Sequence, residues 1–163
     1  MIYDVSVATT GDVPEILALQ AENQIAKGGA LSVEFPAAWF ETTVQDMPII
    51  IARRRGQLVG YLVSSAPERT KHYALGQAKF TAYPAKAGAY NSGPLCVEAS
   101  ERGRGLAETL FELQGLLLRR REGVGFIRRD NAASRAAHAK YGFSEVAEFT
   151  YHTIEYLVVA RTT

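Results

Sequence analysis

The sequence is poor in cysteine, in net charge and in long apolar runs, and each scarcity excludes a class of protein. Cys96 is the single cysteine among 163 residues, which rules out an internal disulfide. The 18 basic and 17 acidic residues nearly cancel, to a net charge of +1, so nothing draws the whole chain toward nucleic acid or a membrane surface. No apolar run approaches the roughly 20 residues of a membrane helix, and the Met1-Ile-Tyr-Asp start shows no signal-peptide pattern. We therefore expect a cytoplasmic protein.

What is present predicts one folded domain over residues 1–163. The composition, 47% hydrophobic and 21% charged, is that of a globular protein, and the length is sufficient to bury a core. We predict no metal site. No internal repeat, linker or low-complexity segment interrupts the chain.

The apolar pattern predicts strands that alternate with helices. Strands are expected at 3–8, 48–53, 57–65, 90–97, 124–128, 145–151 and 153–159. Helices are expected at about 10–24, 35–45, 105–121 and 134–140. Trp39 and Phe40 are interpreted as core residues. Residues 66–88 are hard to interpret, and a short helix at 73–80 is the one element they suggest.

An anion site is predicted where a strand pattern gives way to a helix. The apolar run Leu95-Cys96-Val97 is followed by Arg102-Gly103-Arg104-Gly105-Leu106-Ala107, which opens a helical pattern. The free N–H groups of a helix's first turn favour negative charge, and glycines let the main chain come close to a phosphate. The two arginines add charge-assisted donors. These features predict a phosphate-bearing cofactor.

The spacing argues against two common nucleotide motifs. A dinucleotide fingerprint needs a third glycine where this chain has Glu108. A P-loop needs a Gly-Lys-Ser/Thr that does not follow here. The pattern that fits is Arg-x-x-Gly-x-Ala, formed by Arg102, Gly105 and Ala107. On this segment alone, an ordinary strand-to-helix turn with surface arginines fits equally well.

A second motif lies downstream. Asn131, Ser134, His138 and Tyr141 are spaced by three, four and three residues, which places them on one face of a helix. Alanines on the other faces would let the helix lie close to a sheet. Gly142-Phe143 then predicts a left-handed helix end and the start of a strand.

Together the two motifs resemble the GNAT superfamily, the acetyl-CoA-dependent N-acetyltransferases. The motifs run from about Leu95 to Phe143, and the predicted element order extends the resemblance along the whole chain. The resemblance implies an α/β (α+β) GNAT fold, with a mixed central sheet of about six or seven strands, about four flanking helices and splayed central strands that bind CoA. It also implies transfer of an acetyl group from acetyl-CoA, as co-substrate, to a primary amine by direct attack.

The resemblance implies which residues bind the cofactor. Main-chain groups of the central strand would bind the pantetheine, and the glycine segment would bind the pyrophosphate. For Asn131, helix capping is an alternative role that can coexist with cofactor binding. The implied cofactor-binding residues are Leu95, Val97, Arg102, Gly103, Arg104, Gly105, Leu106, Ala107, Asn131 and Ser134.

His138 and Tyr141 are the predicted catalytic residues. Many family members carry a tyrosine four residues before the glycine of Gly-Phe, and this chain has His138 there, as in members related to phosphinothricin acetyltransferases. The hypothesis is that His138 faces the CoA sulfur and donates to the thiolate, while Tyr141 packs or lines the cofactor. The reverse assignment is left open.

Other features stay unassigned. The central strand carries Tyr90-Asn91-Ser92 where some members place a carboxylate base, so no general base is identified. A protein with this fold that binds acyl-CoA without transferring it is one alternative function. Binding of nucleic acid by the arginine clusters at 53–55, 119–121 and 128–129 is a less favoured one, and no nucleic-acid or membrane partner is predicted. The acceptor, a small molecule or a protein amine, is not identified, and homodimerisation stays open.

Overall fold

The computed structural model describes residues 2–163. Its strands are β1 (Asp4–Val7), β2 (Ile49–Arg54), β3 (Gln57–Ser65), β4 (Tyr90–Val97), β5 (Glu122–Arg128), β6 (Ser144–Tyr151) and β7 (Ile154–Thr162). Its helices are α1 (Val13–Glu22), α2 (Ala37–Asp46), α3 (Ala74–Ala82), α4 (Leu106–Leu117) and α5 (Ala132–Lys140). Short 3-10 turns cover Thr10–Asp12, Ile25–Lys27, Pro67–Thr70 and Ala99–Glu101.

The strands form one mixed, seven-stranded sheet in the order β1-β2-β3-β4-β5-β7-β6. Pairing is antiparallel between β1 and β2, β2 and β3, β5 and β7, and β6 and β7. Strands β4 and β5 are parallel, with Tyr90 opposite Gly123 and Asn91 opposite Val124. A parallel pair requires a crossover, and α4 supplies it. This mixed sheet with five helices confirms the predicted α/β fold.

The described chain divides into two compact units. Unit 1 contains the described residues up to Ser64 together with Pro94–Gln114, and unit 2 contains Ser65–Gly93 together with Gly115–Thr163. Strand β4 and helix α4 each contribute residues to both. The prediction of a single domain over residues 1–163 stays a prediction.

Unit 1 buries an aromatic cluster beside its strands. Phe35 stacks on Trp39 at 3.8 Å between ring centroids, and Phe40 meets Tyr61 edge-on at 6.3 Å. Trp39 and Phe40 are both buried, which confirms their interpretation as core residues. Edge-to-face aromatic pairs such as Phe40 and Tyr61 add to the stabilisation from area burial alone.

Unit 2 is built around β5, β7 and β6, with α3 packed against β6. Val124 and Val158 are fully buried, and Phe80 of α3 packs against their cluster. Phe149 stacks on Tyr156 across the β6–β7 pair, at 5.1 Å between centroids. Cross-strand pairs of this type stabilise a sheet and fix its register.

Residues 66–88 are ordered by α3 and by one buried carboxylate. Helix α3 confirms the short helix suggested at 73–80 and extends it to Ala82. Glu122, 5% exposed, accepts hydrogen bonds from the Tyr83 hydroxyl at 2.7 Å and from the Lys86 N–H at 2.9 Å. The carboxylate therefore anchors the chain that leaves α3.

Helix α4 is shorter than the sequence predicted. It ends at Leu117 rather than near Arg121, and Arg120 has a left-handed φ of 65°. The Arg120 N–H donates to the Thr163 carbonyl at 2.9 Å, which replaces a helical hydrogen bond. Among the described residues, no helix has both the length and the apolar content needed to cross a bilayer.

Candidate functional site

The predicted anion site is a turn at residues 102–105, called here the glycine turn, between the end of β4 and the start of α4. Gly103 and Gly105 have φ values of +77° and +81°, a left-handed conformation that other residues adopt only with strain. A Cβ at Gly103 would meet no atom within 4 Å, and the whole turn is exposed. Its main chain is thus open to a ligand directly before the first turn of α4.

A buried carboxylate holds the residue before this turn. Glu101, 6% exposed, accepts two hydrogen bonds from the Arg54 guanidinium at 2.9 and 3.1 Å and one from the Tyr3 hydroxyl at 2.7 Å. The Tyr3 hydrogen bond, together with Arg54, lowers the pKa of Glu101. This pairing fixes the approach of the chain to the glycine turn.

The two arginines of the turn differ in their surroundings. One guanidinium N–H of Arg102 donates to the Asn23 Oδ1 at 2.8 Å, and its Nε–H donates to the Val97 carbonyl at 3.3 Å. Arg104 is exposed. Sequence analysis predicted that both arginines bind the anion. In the structure the Arg102 side chain instead forms hydrogen bonds to the end of α1 and to the end of β4.

The central strand segment that precedes the turn is partly buried. Leu95 and Val97 are half-buried, and Cys96 between them is 3% exposed. Burial raises the pKa of the Cys96 thiol to about 12, so the thiol is neutral. Binding through the main chain of Leu95 and Val97 would leave no pattern in their side chains. Their predicted role in cofactor binding therefore depends only on their position before the glycine turn.

Helix α5 in unit 2 carries the second motif, and both of its ends are capped. The Asn131 Oδ1 accepts the Ser134 N–H at 3.1 Å, an N-cap hydrogen bond. At the other end Gly142 has φ +89°, its N–H donates to the Ala139 carbonyl, and the Phe143 N–H donates to the His138 carbonyl. This Schellman motif confirms the predicted helix end at Gly142.

His138 is buried and neutral. Its Nδ1 lies 2.8 Å from the Ser134 carbonyl oxygen, and because a carbonyl can only accept, Nδ1 carries the proton. Burial, with the Arg161 charge as a further cause, lowers the pKa of His138 to about 4. The ring also meets Phe143 edge-on, at 5.0 Å between centroids. At neutral pH the imidazole therefore carries no charge, and its Nε2 bears a lone pair.

The neutral imidazole borders an open cavity of about 520 Å³ beside α5. Alanines 132, 136 and 139 line the helical side, and an ion pair between Arg135 and Glu145, 2.9 Å apart, lies at its border. The small alanine side chains leave this space open. The sequence predicted instead that they would let the helix lie close to a sheet, and all three are exposed. His138 is thus reachable from this cavity although its exposed fraction is only 8%.

Tyr141 ends the helix, and a buried cation lies beside it. Tyr141 is half-buried, and its carbonyl accepts a hydrogen bond from the Arg161 guanidinium at 3.1 Å. Arg161, 9% exposed, also lies 4.6 Å from the centroid of the Phe143 ring and interacts with Tyr90. A cation at the C-terminal end of a helix is stabilised by the helix dipole. Sequence analysis missed Arg161, because the predicted strand ended at residue 159, whereas β7 continues to Thr162.

A second buried cation was also missed. The Lys79 Nζ donates to the Asn91 Oδ1 at 2.6 Å and to the Val124 carbonyl at 2.9 Å, and lies 4.5 Å from the centroid of the Phe80 ring. The Asn91 amide donates in turn to the Ser65 Oγ at 3.1 Å. Burial lowers the pKa of Lys79 to about 7. Asn91 lies in the segment Tyr90-Asn91-Ser92, where the sequence analysis found no carboxylate base, and its amide belongs to this network.

The predicted residues therefore fall into two groups. Unit 1 contains Leu95, Val97 and the glycine turn through Ala107, and unit 2 contains Asn131, Ser134, His138 and Tyr141. In unit 2 the structure brings Ser134 and His138 into direct contact, as their spacing predicted. In unit 1 it places the two glycines next to the first turn of α4.

Comparison with solved structures identifies the fold. An N-acetyltransferase from Staphylococcus aureus superposes with a TM-score of 0.71 at 18% identity, covering 98% of both chains. The GNAT-family acetyltransferase of Streptococcus pneumoniae gives 0.73 at 14% identity, also covering 98% of both. The chain has the GNAT fold.

Another GNAT-fold neighbour was crystallised with a ligand. The yncA protein of Salmonella typhimurium, solved with its cofactor acetyl-CoA, gives a TM-score of 0.73 at 16% identity and covers 99% of this chain and 94% of its own. No family model and no curated protein matches the sequence. The likeness is thus one of GNAT architecture at low sequence identity.

Proposed function

We propose that this GNAT-fold protein is an N-acetyltransferase that moves an acetyl group from acetyl-CoA to a primary amine. The observation that carries the proposal is the glycine turn. Two exposed left-handed glycines directly before α4 leave the main chain open at the positive end of a helix dipole. That arrangement fits a pyrophosphate, and a fold neighbour was solved with acetyl-CoA.

The cofactor-binding residues would act mostly through their main chain. N–H groups of Gly103, Arg104, Gly105, Leu106 and Ala107 would hold the pyrophosphate, with the Arg104 guanidinium as an added donor. Main-chain groups of Leu95 and Val97 would bind the pantetheine amides. Asn131 and Ser134 would contribute from α5, where the Asn131 Oδ1 already caps the helix and its Nδ2–H groups are the donors for a ligand.

Transfer then requires one nucleophilic attack and two proton movements. The amine nitrogen attacks the thioester carbonyl carbon, the C–S bond breaks, the nitrogen loses a proton and the departing thiolate gains one. Because His138 is neutral and its Nδ1–H is held by Ser134, its Nε2 carries a lone pair and has no proton to donate. We therefore assign the thiolate acid to the Tyr141 hydroxyl, and His138 faces the cofactor.

The acceptor pocket and partners belong to the proposal as well. We propose that the amine is bound by parts of the chain that carry no cofactor motif, among them α1, α2 and the connection between them in unit 1. The acceptor is a small-molecule or protein amine, and the cytoplasm is the proposed location. A homodimer stays open.

The first experiment is thermal unfolding with excess acetyl-CoA and with NAD as a control. A ligand at about 100 times its Kd stabilises the folded state by roughly 2.7 kcal/mol, which raises Tm by a few degrees. Acetyl-CoA is expected to raise Tm and NAD to leave it unchanged. An unchanged Tm with both ligands would overturn the cofactor assignment.

Thiol release on addition of amines tests the transfer itself. Tyr141→Phe is expected to lower kcat by at least about tenfold while leaving the Kd of acetyl-CoA unchanged, since general acid catalysis contributes a factor of that order or more. Full turnover in Tyr141→Phe together with loss of turnover in His138→Gln would reverse the assignment.

One observation favours a second function, an acyl-CoA-binding sensor without transferase activity. The central strand offers Asn91 in place of a carboxylate base, and the Asn91 amide is occupied by Lys79 and Ser65. A rise in Tm with acetyl-CoA, combined with no thiol release for any amine tested, would favour the sensor over the enzyme.

A further inference from the structure

Arg102 joins two segments of unit 1 that are far apart in sequence. Its guanidinium donates to the Asn23 Oδ1 at 2.8 Å, across 79 residues of chain, and its Nε–H donates to the Val97 carbonyl at 3.3 Å. Asn23 is the C-cap residue of α1. The side chain thus spans from the end of β4 to the end of α1, at the start of the glycine turn.

Asn23 organises the α1–α2 connection, residues 23–36. Its carbonyl accepts the Leu31 N–H at 3.1 Å, and its Nδ2–H donates to the Leu19 carbonyl at 2.9 Å. Gly29 is pressed against it so closely that a Cβ there would lie 1.9 Å from the Asn23 carbonyl oxygen. Asn23 is 5% exposed. A movement of Asn23 therefore moves the connection with it.

We infer that Arg102 is a positioning residue that couples the glycine turn to the α1–α2 connection, and is not itself a phosphate ligand. The inference rests on the proposed function, in which the turn holds the cofactor and the connection borders the acceptor amine. Through Arg102, order imposed on the turn by the cofactor reaches Asn23 and stabilises the connection. Cofactor binding then prepares the acceptor side before the amine arrives.

The geometry required by this role differs from that of a phosphate ligand. A phosphate ligand needs positive charge, which lysine also supplies. A link to two separate acceptors, the Asn23 Oδ1 and the Val97 carbonyl, needs the planar fork of arginine. Arg102→Lys thus separates the two roles, and Arg104→Gln is the matched control because Arg104 belongs to the same turn and is exposed.

Hydrogen exchange of the ligand-free protein tests the link directly. The Leu31 and Gly29 N–H groups, bonded to the Asn23 and Gln24 carbonyls, report on the connection. Both Arg102→Gln and Arg102→Lys are expected to speed the exchange of these two groups roughly tenfold, because each variant loses one charge-assisted hydrogen bond. Arg104→Gln is expected to leave their exchange unchanged. Exchange that is unchanged in Arg102→Gln would overturn the link.

A double-mutant cycle on the Kd of CoA tests the coupling. Asn23→Ala and Arg102→Gln are each expected to weaken CoA binding, and the double variant to lose less than the sum of the two single losses, because both remove the shared hydrogen bond. Asn23→Asp retains an acceptor oxygen and is expected to restore most of the affinity. A large loss in Arg102→Gln with none in Asn23→Ala, together with a reduced salt dependence, would make Arg102 a phosphate ligand and refute the inference.

The two proposals fail in different ways. If wild-type protein does not bind CoA at all, the proposed function and the coupling both fail, and the ligand-free exchange alone decides whether Arg102 holds the connection. If wild type binds CoA but CoA does not slow exchange at Leu31, the proposed function stands and the coupling is refuted.

Discussion

The Nδ1–H of His138 donates to the carbonyl oxygen of Ser134, 2.8 Å away and one turn earlier in α5. This hydrogen bond fixes the tautomer of a buried, neutral imidazole. The sequence predicted His138 as a proton donor, whereas the Nε2 atom of this tautomer carries a lone pair and no proton. The consequences of this and of three other features can be measured.

His138 is expected to make the protein sensitive to mild acid. Its pKa is about 4 in the folded state and ordinarily near 6.5, so between these values the unfolded chain binds a proton that the folded protein does not. The free energy of unfolding therefore falls as pH drops from 6.5 toward 4, by at most about 1.4 kcal/mol per pH unit from this group. Urea unfolding at pH 7 and pH 5 measures the effect.

His138→Gln should flatten this acid slope, and His72→Gln, at an exposed position, should leave it unchanged. Equal slopes in wild type and His138→Gln would contradict the burial of a neutral imidazole.

Lys79 is expected to make the free energy of unfolding depend on pH in the alkaline range. Its pKa is about 7 when folded and ordinarily near 10.4, so above pH 7 the unfolded chain holds a proton that the folded protein has released. The contribution of Lys79 to the free energy of unfolding therefore rises from pH 7 to about pH 10. Lys79→Met should remove this rise, measured by urea unfolding at several pH values, whereas Lys71→Met, at an exposed position, should retain it. A rise that survives in Lys79→Met would assign it to other groups.

Alanine at Gly103 should cost both stability and cofactor affinity. A left-handed φ of +77° disfavours a side chain by about 1–2 kcal/mol. Gly56, in the turn between β2 and β3, has φ +79° and the same open surroundings, which makes Gly56→Ala a matched control. Both variants are expected to lose similar stability, but Gly103→Ala alone should weaken acetyl-CoA, by about tenfold or more in a calorimetric titration. If Gly103→Ala and Gly56→Ala bind acetyl-CoA with equal affinity, the glycine turn is not part of the cofactor site.

Two substitutions separate the roles of Asn131. Asn131→Asp keeps an oxygen that accepts the Ser134 N–H, so its Tm should stay near that of wild type, whereas Asn131→Ala should lose about 1 kcal/mol of stability. If the Nδ2–H groups also donate to the cofactor, both variants should weaken acetyl-CoA. Unchanged affinity in Asn131→Asp would leave capping as the sole function of this side chain.

Local patterns predicted the regular parts of the fold well. Strand β4 has the bounds 90–97 that the apolar run indicated, and the Schellman end of α5 follows from Gly142 alone. The helix at Ala74–Ala82 was only suggested, because its lysine and threonine break the apolar stripe. The α4 end was misjudged because Leu118 continues the apolar spacing, although Arg120 is left-handed.

The local geometry of the candidate residues was predictable where the main chain decides it, and less so where side chains contact segments distant in the sequence. Glycine spacing alone gave the turn, and helical spacing gave the contact between Ser134 and His138. The partner of Arg102 is 79 residues away and could not be inferred, since an asparagine at a helix end indicates only a cap. The burial of Lys79 and Arg161 could not be inferred either, because a cationic residue in a sequence ordinarily indicates an exposed position.

The buried thiol of Cys96 has a practical consequence for testing the proposed enzyme. With a pKa of about 12 and 3% exposure, Cys96 is protonated and shielded from disulfide reagents such as those used to count thiols by colour. While the protein stays folded, the colour that such a reagent develops during an assay therefore reports the thiol of the CoA released by turnover, and not the protein's own thiol. A single cysteine placed on the surface would, for the same reason, be the one site that takes up a fluorescent label.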